Sequence, residues 1–285
     1  MPIPFSPVVA ARQRALPGFS SLLYVDLEEL GVAASPLAVL DDFRVPGLPF
    51  SPHPHAGFAA VTYVFEDSPG DLRSRASLGA DLTVGPGGIV WTEAGRGVVH
   101  EEVPAVTGRE LHGVQLFVNR SARNKLMPPR VLHLGPGDVP EWRDHHGDRV
   151  RVVAGAFEGI SSPLDPAEPF TLLDAWLQRE IRVTVAAAHN VVVYVLAGSV
   201  AVRADGRQEE LAAGQALAMS GRRGGGEVRL AADQPTHLLV LSGAEIREPV
   251  VTAGPFIMNE PAQIEDATAR YRRGEMGHLA PLGGT

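Results

Sequence analysis

Short runs of apolar residues, separated by glycine, proline, asparagine or aspartate, recur along residues 20–242. Apolar runs of this length between turn residues are typical of β-strands, and many in succession indicate a sandwich or barrel. Helical periodicity is scarce. The best helix candidate is residues 264–273, which Asn259-Glu260-Pro261 precedes and Gly274 follows. The pattern therefore predicts an all-β protein with short helices, one of them near residue 270.

Residues 183–202 form an almost entirely apolar segment that is about as long as a membrane-spanning helix. His189-Asn190 interrupts this segment near its middle and Gly198-Ser199 near its end. The residues between these two interruptions are mostly β-branched, and such residues favour strands. Because polar groups inside a bilayer are costly, two buried strands joined by polar turns explain the segment better. We therefore expect no membrane association.

The chain contains an internal repeat. Tyr63-Val64-Phe65-Glu66 resembles Tyr194-Val195-Leu196-Ala197, which follows 131 residues later, and Leu82 has a counterpart in Leu211, 129 residues later. Self-similarity at one long offset indicates two copies of one domain, not a solenoid. We expect two tandem β-barrels. The N-terminal barrel would span residues 1–130, and the C-terminal barrel would span residues 131–285 and end in the short helix.

Composition and charge narrow the possible functions. The 285 residues contain no cysteine, which excludes disulfides, thiolate metal sites and a cysteine nucleophile. Imidazole and carboxylate remain as the strong metal ligands. The net charge of −8 opposes general attraction to phosphates, so we expect no direct nucleic-acid binding. The first residues lack the basic and apolar pattern of a secretory signal, so we expect a cytoplasmic protein.

Two short motifs carry the most informative chemistry. His53-Pro54-His55 and His100-Glu101-Glu102 each place two donor residues at positions i and i+2. Side chains two residues apart in a strand point to the same face, so each motif presents two ligands together, whereas Glu101 points outward into solvent. Three imidazoles and one carboxylate suit Fe(II), Mn(II), Ni(II), Co(II), Cu(II) or Zn(II). Four protein ligands on an octahedral ion leave two open positions, as in catalytic sites.

Four strings of residues around these motifs are distinctive. They are Ser51-Pro52-His53-Pro54-His55-Ala56-Gly57-Phe58, Ala76-Ser77-Leu78-Gly79, Trp91-Thr92-Glu93-Ala94-Gly95-Arg96-Gly97-Val98-Val99-His100-Glu101-Glu102 and Gly254-Pro255-Phe256-Ile257-Met258-Asn259. Together they resemble the pirin family of the cupin superfamily. The resemblance implies a bicupin with two jelly-roll type barrels and one metal, usually iron, in the N-terminal barrel. By motif position it assigns the metal ligands to His53, His55, His100 and Glu102.

The second copy of the repeat offers no comparable ligand set. The repeat offsets carry the four ligand positions onto Thr184, Ala186, Arg229 and Ala231. None of these side chains is a good metal ligand. His189 and His237 also lie in this copy, and we interpret them as ordinary hydrogen-bonded histidines. We therefore expect the C-terminal barrel to bind no metal.

Three further residues are candidates for a pocket beside the metal. Trp91 precedes the ligand strand and is a candidate wall for an aromatic substrate, with packing in the core as the alternative. The resemblance places the strand that contains His112 and Gln115 beside the metal. His112 would there orient a ligand or touch the substrate, and an ordinary hydrogen-bonded strand histidine is the alternative.

The resemblance implies a metal-dependent dioxygenase similar to those that open flavonols such as quercetin. We expect one divalent transition metal, with Fe(II) first and Mn, Ni, Co, Cu or Zn as alternatives, and a small aromatic substrate together with O2. Glu102 is the candidate catalytic residue, because a carboxylate that loosens from the metal can take a hydroxyl proton.

Two other functions fit the same residues. Some pirins act through protein partners, so one alternative is a metal- or redox-responsive regulator that binds a transcription factor or a metabolic enzyme without turnover. The other is a zinc-dependent cupin isomerase or hydrolase.

Overall fold

The computed structural model describes residues 4–221 and 223–282. These residues form 26 β-strands, three α-helices and one 3₁₀ helix over Gly31–Ala34. The first thirteen strands are β1 Val9–Ala10, β2 Arg12–Gln13, β3 Ser21–Tyr24, β4 Leu37–Val45, β5 His53–His55, β6 Phe58–Val64, β7 Leu72–Ala76, β8 Asp81–Val84, β9 Ile89–Glu93, β10 Val98–Pro104, β11 Leu111–Asn119, β12 Arg130–Leu134 and β13 Glu141–Arg143.

The remaining elements complete the inventory of the described residues. The strands are β14 Arg149–Ala154, β15 Ala156–Phe157, β16 Ile160–Ser161, β17 Phe170–Leu177, β18 Glu180–Val185, β19 His189–Ala197, β20 Ser199–Ala204, β21 Arg207–Ala212, β22 Gln215–Met219, β23 Gly226–Ala231, β24 Thr236–Ala244, β25 Val251–Ala253 and β26 Phe256–Met258. The helices are α1 Leu27–Leu30, α2 Ala122–Lys125 and α3 Pro261–Arg272. In the part of the chain that the structure describes, no helix is both long and apolar enough to cross a membrane.

The chain divides into two compact units. The first barrel comprises residues 13–22, 39–138 and 246–285. It has a seven-stranded sheet in the order β12-β9-β6-β11-β4-β3-β2 and a four-stranded sheet in the order β5-β10-β7-β8. Strand β6 is buried along its whole length, which explains why its sequence is a continuous apolar run with little alternation.

The second barrel comprises residues 1–12, 23–38 and 139–245. Its seven-stranded sheet has the order β1-β22-β19-β24-β17-β14-β13 and its four-stranded sheet the order β18-β23-β20-β21. Valine and leucine side chains dominate a single large core cluster that includes both sheets. The apolar segment of residues 183–202 lies here, and it forms the second half of β18, all of β19 and the first four residues of β20.

The two barrels share one strand plan, as the sequence repeat predicts. The order β9-β6-β11-β4 in the first barrel corresponds to β22-β19-β24-β17 in the second. Tyr63 and its repeat partner Tyr194 lie in β6 and β19, and Leu82 and Leu211 lie in β8 and β21. The expected fold of two jelly-roll type β-barrels with short helices is confirmed.

The division of the chain differs from the expected one at residue 130, because both ends of the chain cross the expected boundary. Near the start, Val9 pairs with Ala216, which makes β1 an edge strand of the second barrel. Near the end, Phe256 forms a parallel bridge with Ala56 in the first barrel. Residues 246–285 therefore belong to the first barrel and not to the C-terminal one.

The C-terminal helix is present and begins three residues before the expected start at residue 264. Glu260 caps α3, Pro261 occupies its first turn, and Gln263 completes a capping box with Glu260. In the first barrel α3 contributes Ala267 to a small apolar cluster with Phe256 and Met258.

Candidate metal centre

Three histidines converge inside the first barrel. The antiparallel pairing of β5 with β10 sets His53 directly opposite His100. His55 is two residues after His53 and therefore points to the same face. The ring centres of His53 and His55 lie 4.7 and 4.6 Å from that of His100. One nitrogen from each ring falls within 4.8 Å of the others, which is the spacing that a metal ion requires.

Backbone carbonyls orient two of these rings. His53 Nδ1 lies 2.9 Å from the carbonyl oxygen of Ser51, and His55 Nδ1 lies 3.4 Å from that of Pro255. An imidazole that donates its Nδ1 hydrogen to a carbonyl presents the lone pair of Nε2 on its other side. His53 Nε2 is in turn 3.2 Å from His100 Nε2. A cation between the ring nitrogens satisfies the lone pairs of all three imidazoles at once, so the residues fit a metal.

Glu102 lies beside this histidine group. It is two residues after His100 on β10, so both side chains point to the same face. Its carboxylate accepts hydrogen bonds from the Ser74 hydroxyl at 3.1 Å and from the Thr62 hydroxyl. The Thr62 oxygen is also 2.9 Å from Gln115 Oε1, so the Glu102 carboxylate and the Gln115 amide oxygen compete for the single hydrogen of this hydroxyl. These contacts orient the carboxylate on the strand face that it shares with His100, and the role of Glu102 as a fourth ligand stays a prediction.

Burial sets the protonation states of the group. It lowers the pKa of His55 to about 3, with help from the nearby charge of His53, and it lowers the pKa values of His53 and His100 as well. Burial also raises the pKa of Glu102, against the effect of the two hydroxyls that donate to it. The imidazoles are therefore neutral at neutral pH, which is the form that binds metals.

The histidines and Glu102 line a cavity of about 360 Å³. Most of its wall is apolar or aromatic and consists of Leu16, Phe19, Leu22, Val39, Phe43, Val45, Pro49, Phe50, Leu72, Leu111 and Phe117. The other polar lining residues are Arg14, Asp41, Thr62 and Gln115. A cavity of this size, mostly apolar with a few convergent polar groups, is typical of a small-molecule site.

Comparison with known proteins identifies the family. Two family models match the sequence, Pirin over residues 7–118 and the Pirin C-terminal cupin domain over residues 172–277. A Vibrio cholerae protein named "Putative quercetin 2,3-dioxygenase" is 33% identical over 252 residues, which cover 84% of this chain and 86% of that protein. Pirin-like protein 2 of Arabidopsis thaliana is 32% identical and the match covers 85% of this chain and 75% of the relative.

The chain belongs to the pirin family. Among solved structures it resembles quercetin 2,3-dioxygenase from Acinetobacter baumannii, with a TM-score of 0.83, 27% identity and coverage of 98% of this chain and 100% of that one. The expectation of a pirin-type bicupin is confirmed.

Gln115 lines the cavity beside the histidines, as predicted from the sequence of this pirin, but His112 does not. On β11 the cavity-lining residues are Leu111, Gln115 and Phe117, all at odd positions. His112 points to the opposite face, where its Nδ1 is 2.6 Å from Asp67 Oδ1 and its Nε2 is 3.4 Å from Asp42 Oδ1. The alternation of the strand therefore excludes His112 from direct contact with a ligand in the cavity.

Trp91 is also placed away from the cavity. It lies on β9 opposite Val61, whereas Thr62, the next residue on β6, faces the cavity. Residues directly opposite each other in an antiparallel pair share one face, so Trp91 points to the other side of the sheet. Its side chain is almost fully buried there. Of the two interpretations offered by the sequence, the structure supports core packing.

Glu101 is buried and not solvated as expected. Its carboxylate forms an ion pair with Arg75 and also lies 3.4 Å from the backbone nitrogen of Leu282. Arg75 in turn donates a hydrogen bond to the carbonyl oxygen of Ala280 at 2.6 Å. The outer face of the ligand strand is thus covered by the last described residues, which a reading of strand alternation alone does not reveal.

The turn after His55 depends on residues distant in sequence. Gly57 has a φ of 88°, and a Cβ atom there would lie 1.9 Å from the carbonyl oxygen of Ile257, so only glycine fits. The carbonyl oxygen of Gly57 accepts a hydrogen bond at 3.0 Å from Nζ of Lys125. Lys125 is the only lysine of the chain and is fully buried. The local sequence around Lys125 does not indicate this role, and its one signal is that a single lysine occurs in a chain otherwise rich in arginine.

The same strand pair of the second barrel has no donor set. In β18 the inward-facing residues are Ile181, Val183 and Val185, and in β23 they include Val228 and Leu230. The sequence offsets pointed to Thr184 and Arg229 instead, which are one residue out of register with these inward positions. The side chains that face inward on this strand pair are aliphatic and cannot bind a metal. The prediction that these strands offer no metal ligands therefore agrees with the structure, although the predicted positions were shifted by one residue.

Proposed function

We propose that this pirin is a metal-dependent dioxygenase that acts on flavonol-type substrates such as quercetin. The observation that carries the proposal is the convergence of three neutral imidazoles in the wall of a mostly apolar and aromatic cavity. The relatives named above that bear a quercetin 2,3-dioxygenase name support the same reaction class. Iron(II) is the first candidate metal, with manganese, nickel, cobalt, copper and zinc as alternatives.

In this proposal the protein side chains hold the metal, and the metal supplies the Lewis acidity. His53, His55 and His100 would hold the metal, with Glu102 as the fourth ligand. A divalent metal bound there supplies Lewis acidity toward a substrate oxygen and a place for O2 next to it. The carbonyls of Ser51 and Pro255 keep two of the rings in a fixed orientation, which limits reorganisation when the substrate binds.

Glu102 is suited to accept the hydroxyl proton of a flavonol. Burial raises the pKa of its carboxyl group, so the carboxylate is a stronger base than an exposed glutamate. Ser74 and Thr62 hold both of its oxygens in place while the proton moves. The apolar wall of the cavity excludes water from the reacting ring, and Phe117 and Phe50 offer flat surfaces for aromatic contact.

Anaerobic reconstitution tests the proposal. Metal-free protein is loaded in separate samples with Fe(II), Mn(II), Ni(II), Co(II), Cu(II) and Zn(II), its metal content is measured, and quercetin and air are added. We expect loss of the flavonol absorbance with release of one CO per O2 consumed for at least one metal. The His100→Ala variant should be inactive, and His133→Ala, which alters an exposed histidine of the same barrel, should be active. Absence of turnover by fully loaded protein with every metal would overturn the proposal.

A further inference from the structure

A carboxylate interrupts the apolar wall of the cavity. Strand β4 contributes Val39, Asp41, Phe43 and Val45 to the lining, which are alternate residues on the inward face. Asp41 is thus a charged group between apolar neighbours. A position of this kind in a jelly-roll barrel is normally apolar, because burial of a carboxylate without partners is costly.

Asp41 has no internal hydrogen-bond donor. Within residues 4–221 and 223–282, no side chain or backbone group donates a hydrogen bond to its carboxylate. Arg14, at the exposed rim of the cavity, acts on it through space. Burial outweighs this attraction and raises the pKa of Asp41 to about 6. A partly desolvated carboxylate that faces a ligand cavity is a common feature of functional sites.

Asp41 is separate from the polar groups around the histidines. Thr62 and Gln115 lie directly opposite each other on β6 and β11. Strand β4 follows β11 in the same sheet, so Asp41 lies two strands away from Thr62 on the same inward face. Two strand spacings amount to about 10 Å. The cavity therefore has two polar regions, joined by aromatic and aliphatic walls.

We propose that Asp41 accepts a hydrogen bond from a hydroxyl group at the far end of a polyphenolic substrate, whose other end lies at the three histidines. This inference rests on the proposed function and specifies its substrate class, namely flavonols that carry a hydroxyl on the pendant ring. A neutral hydroxyl donor suits the position, because it satisfies the carboxylate without bringing another charge into an apolar cavity.

The chain offers a matched pair of variants for the test. Asp41→Asn removes the charge with little change in volume, and Asp41→Leu removes hydrogen bonding altogether. Asp42→Asn is the control, since Asp42 is the adjacent carboxylate but lies near His112 on the opposite face. Thermal unfolding of each variant establishes that it is folded before binding is compared.

Binding of three flavonols to metal-free and to metal-loaded protein is then measured by calorimetry. Galangin has no hydroxyl on the pendant ring, kaempferol has one and quercetin has two. We expect wild-type protein and Asp42→Asn to bind kaempferol and quercetin about tenfold more tightly than galangin, since a hydrogen bond to a charged group is worth about that factor. Asp41→Leu should bind all three alike, and Asp41→Asn should show a reduced preference.

The outcomes separate this inference from the proposed function. A preference for hydroxylated flavonols that survives in Asp41→Leu, or no preference in wild-type protein, would overturn the role of Asp41 while turnover still supports a flavonol dioxygenase. Binding with the expected preference but no turnover with any metal would overturn the dioxygenase and keep the assignment of Asp41. Tighter binding of an amine analogue than of the hydroxyl compounds would overturn the choice of a neutral donor. If no flavonol binds, both are overturned.

Discussion

The two barrels of this pirin have the same arrangement of strands but different side chains on the inward face of one strand pair. On the paired strands β5 and β10 the inward residues include His53, His55 and His100, and on β18 and β23 they include Ile181 and Leu230. Donor side chains line the cavity of the first barrel, whereas aliphatic side chains occupy the corresponding inward positions of the second. Because the sheet order is the same, the difference lies in the residues on one face of one strand pair. Function here belongs to a site carried by the fold and not to the fold itself.

This difference in inward-facing side chains predicts which barrel determines ligand binding and which contributes mainly to stability. The first barrel contains buried polar groups that include a His100 Nδ1 atom without a hydrogen-bond partner. Such groups reduce stability unless a ligand compensates for them. The second barrel has a continuous apolar core and no such cost on its corresponding strands. We therefore expect ligand binding to depend on the first barrel and changes in the second to act through stability.

The largest effect should come from making the first barrel resemble the second. His100→Leu replaces a donor by the side chain type found in β23. We expect metal content to fall from about one per chain to near zero and turnover to fall more than about 100-fold, since loss of even an outer partner of a metal ligand costs about 10- to 100-fold. Elemental analysis and flavonol turnover measure the two quantities. Retention of one tightly bound metal would contradict the ligand assignment.

The next effect concerns the core of the second barrel. Leu230 is fully buried among aliphatic neighbours, so Leu230→Ala should lower the free energy of unfolding by about 2–5 kcal/mol. Denaturant unfolding measures this loss, and elemental analysis of the folded variant should still give one metal per chain. Loss of metal from the folded variant would show that the second barrel contributes more than stability.

A smaller effect is expected from pH in the metal-free protein. The pKa values of His55 and His100 are lowered in the folded state, so below pH 6.5 the unfolded chain binds protons that the folded chain does not. The free energy of unfolding should therefore fall as the pH decreases from 6.5, by about 2 kcal/mol down to pH 5 from His55 alone, whose folded-state pKa is about 3. Denaturant unfolding at pH 6.5 and pH 5 should show a smaller loss in His100→Leu than in wild type. Equal losses in the two proteins would mean that His100 is not held neutral.

The smallest effect should follow from His112→Gln. His112 points away from the cavity toward Asp67 and Asp42, so metal content and kcat/KM should stay within about twofold of wild type. The cost should be limited to about 1 kcal/mol of stability from the lost contacts with these carboxylates. Steady-state kinetics measures kcat/KM, and thermal unfolding measures the change in stability. A tenfold loss of kcat/KM at unchanged stability would show that the outer face of β11 matters for the site.

Much of the fold is readable from the sequence. Strand-length apolar runs and the repeat of Tyr63 at Tyr194 were sufficient for two β-barrels, because each copy carries its own alternation and turns, and the resemblance to the pirin family supplied their jelly-roll type. The i and i+2 spacing also brought His53 and His55 to one face, and it likewise placed Glu102 beside His100. These inferences succeed because they depend only on the local geometry of a strand.

Other features depend on contacts that local geometry does not contain. Trp91 and His112 lie in strands whose two faces are both buried, so apolar patterning does not reveal which face meets the cavity. Glu101 alternates outward as expected, but residues near 280 cover that face. A single aspartate such as Asp41 in a strand of mixed character resembles a surface residue. Its position in the cavity wall is visible only in the folded structure, where alternate residues of β4 line the cavity.

The contact between His55 and the Pro255 carbonyl has a consequence for biosynthesis. The two residues are 200 positions apart, and the whole of the second barrel's largest segment, residues 139–245, is translated between them. Domains generally fold in order as the chain leaves the ribosome. On a nascent chain the strands with His53 and His100 can pair early, but the ring of His55 gains its carbonyl partner only after residues 139–245 have been synthesised. The final orientation of the His55 ring is therefore set after the larger part of both barrels has been translated.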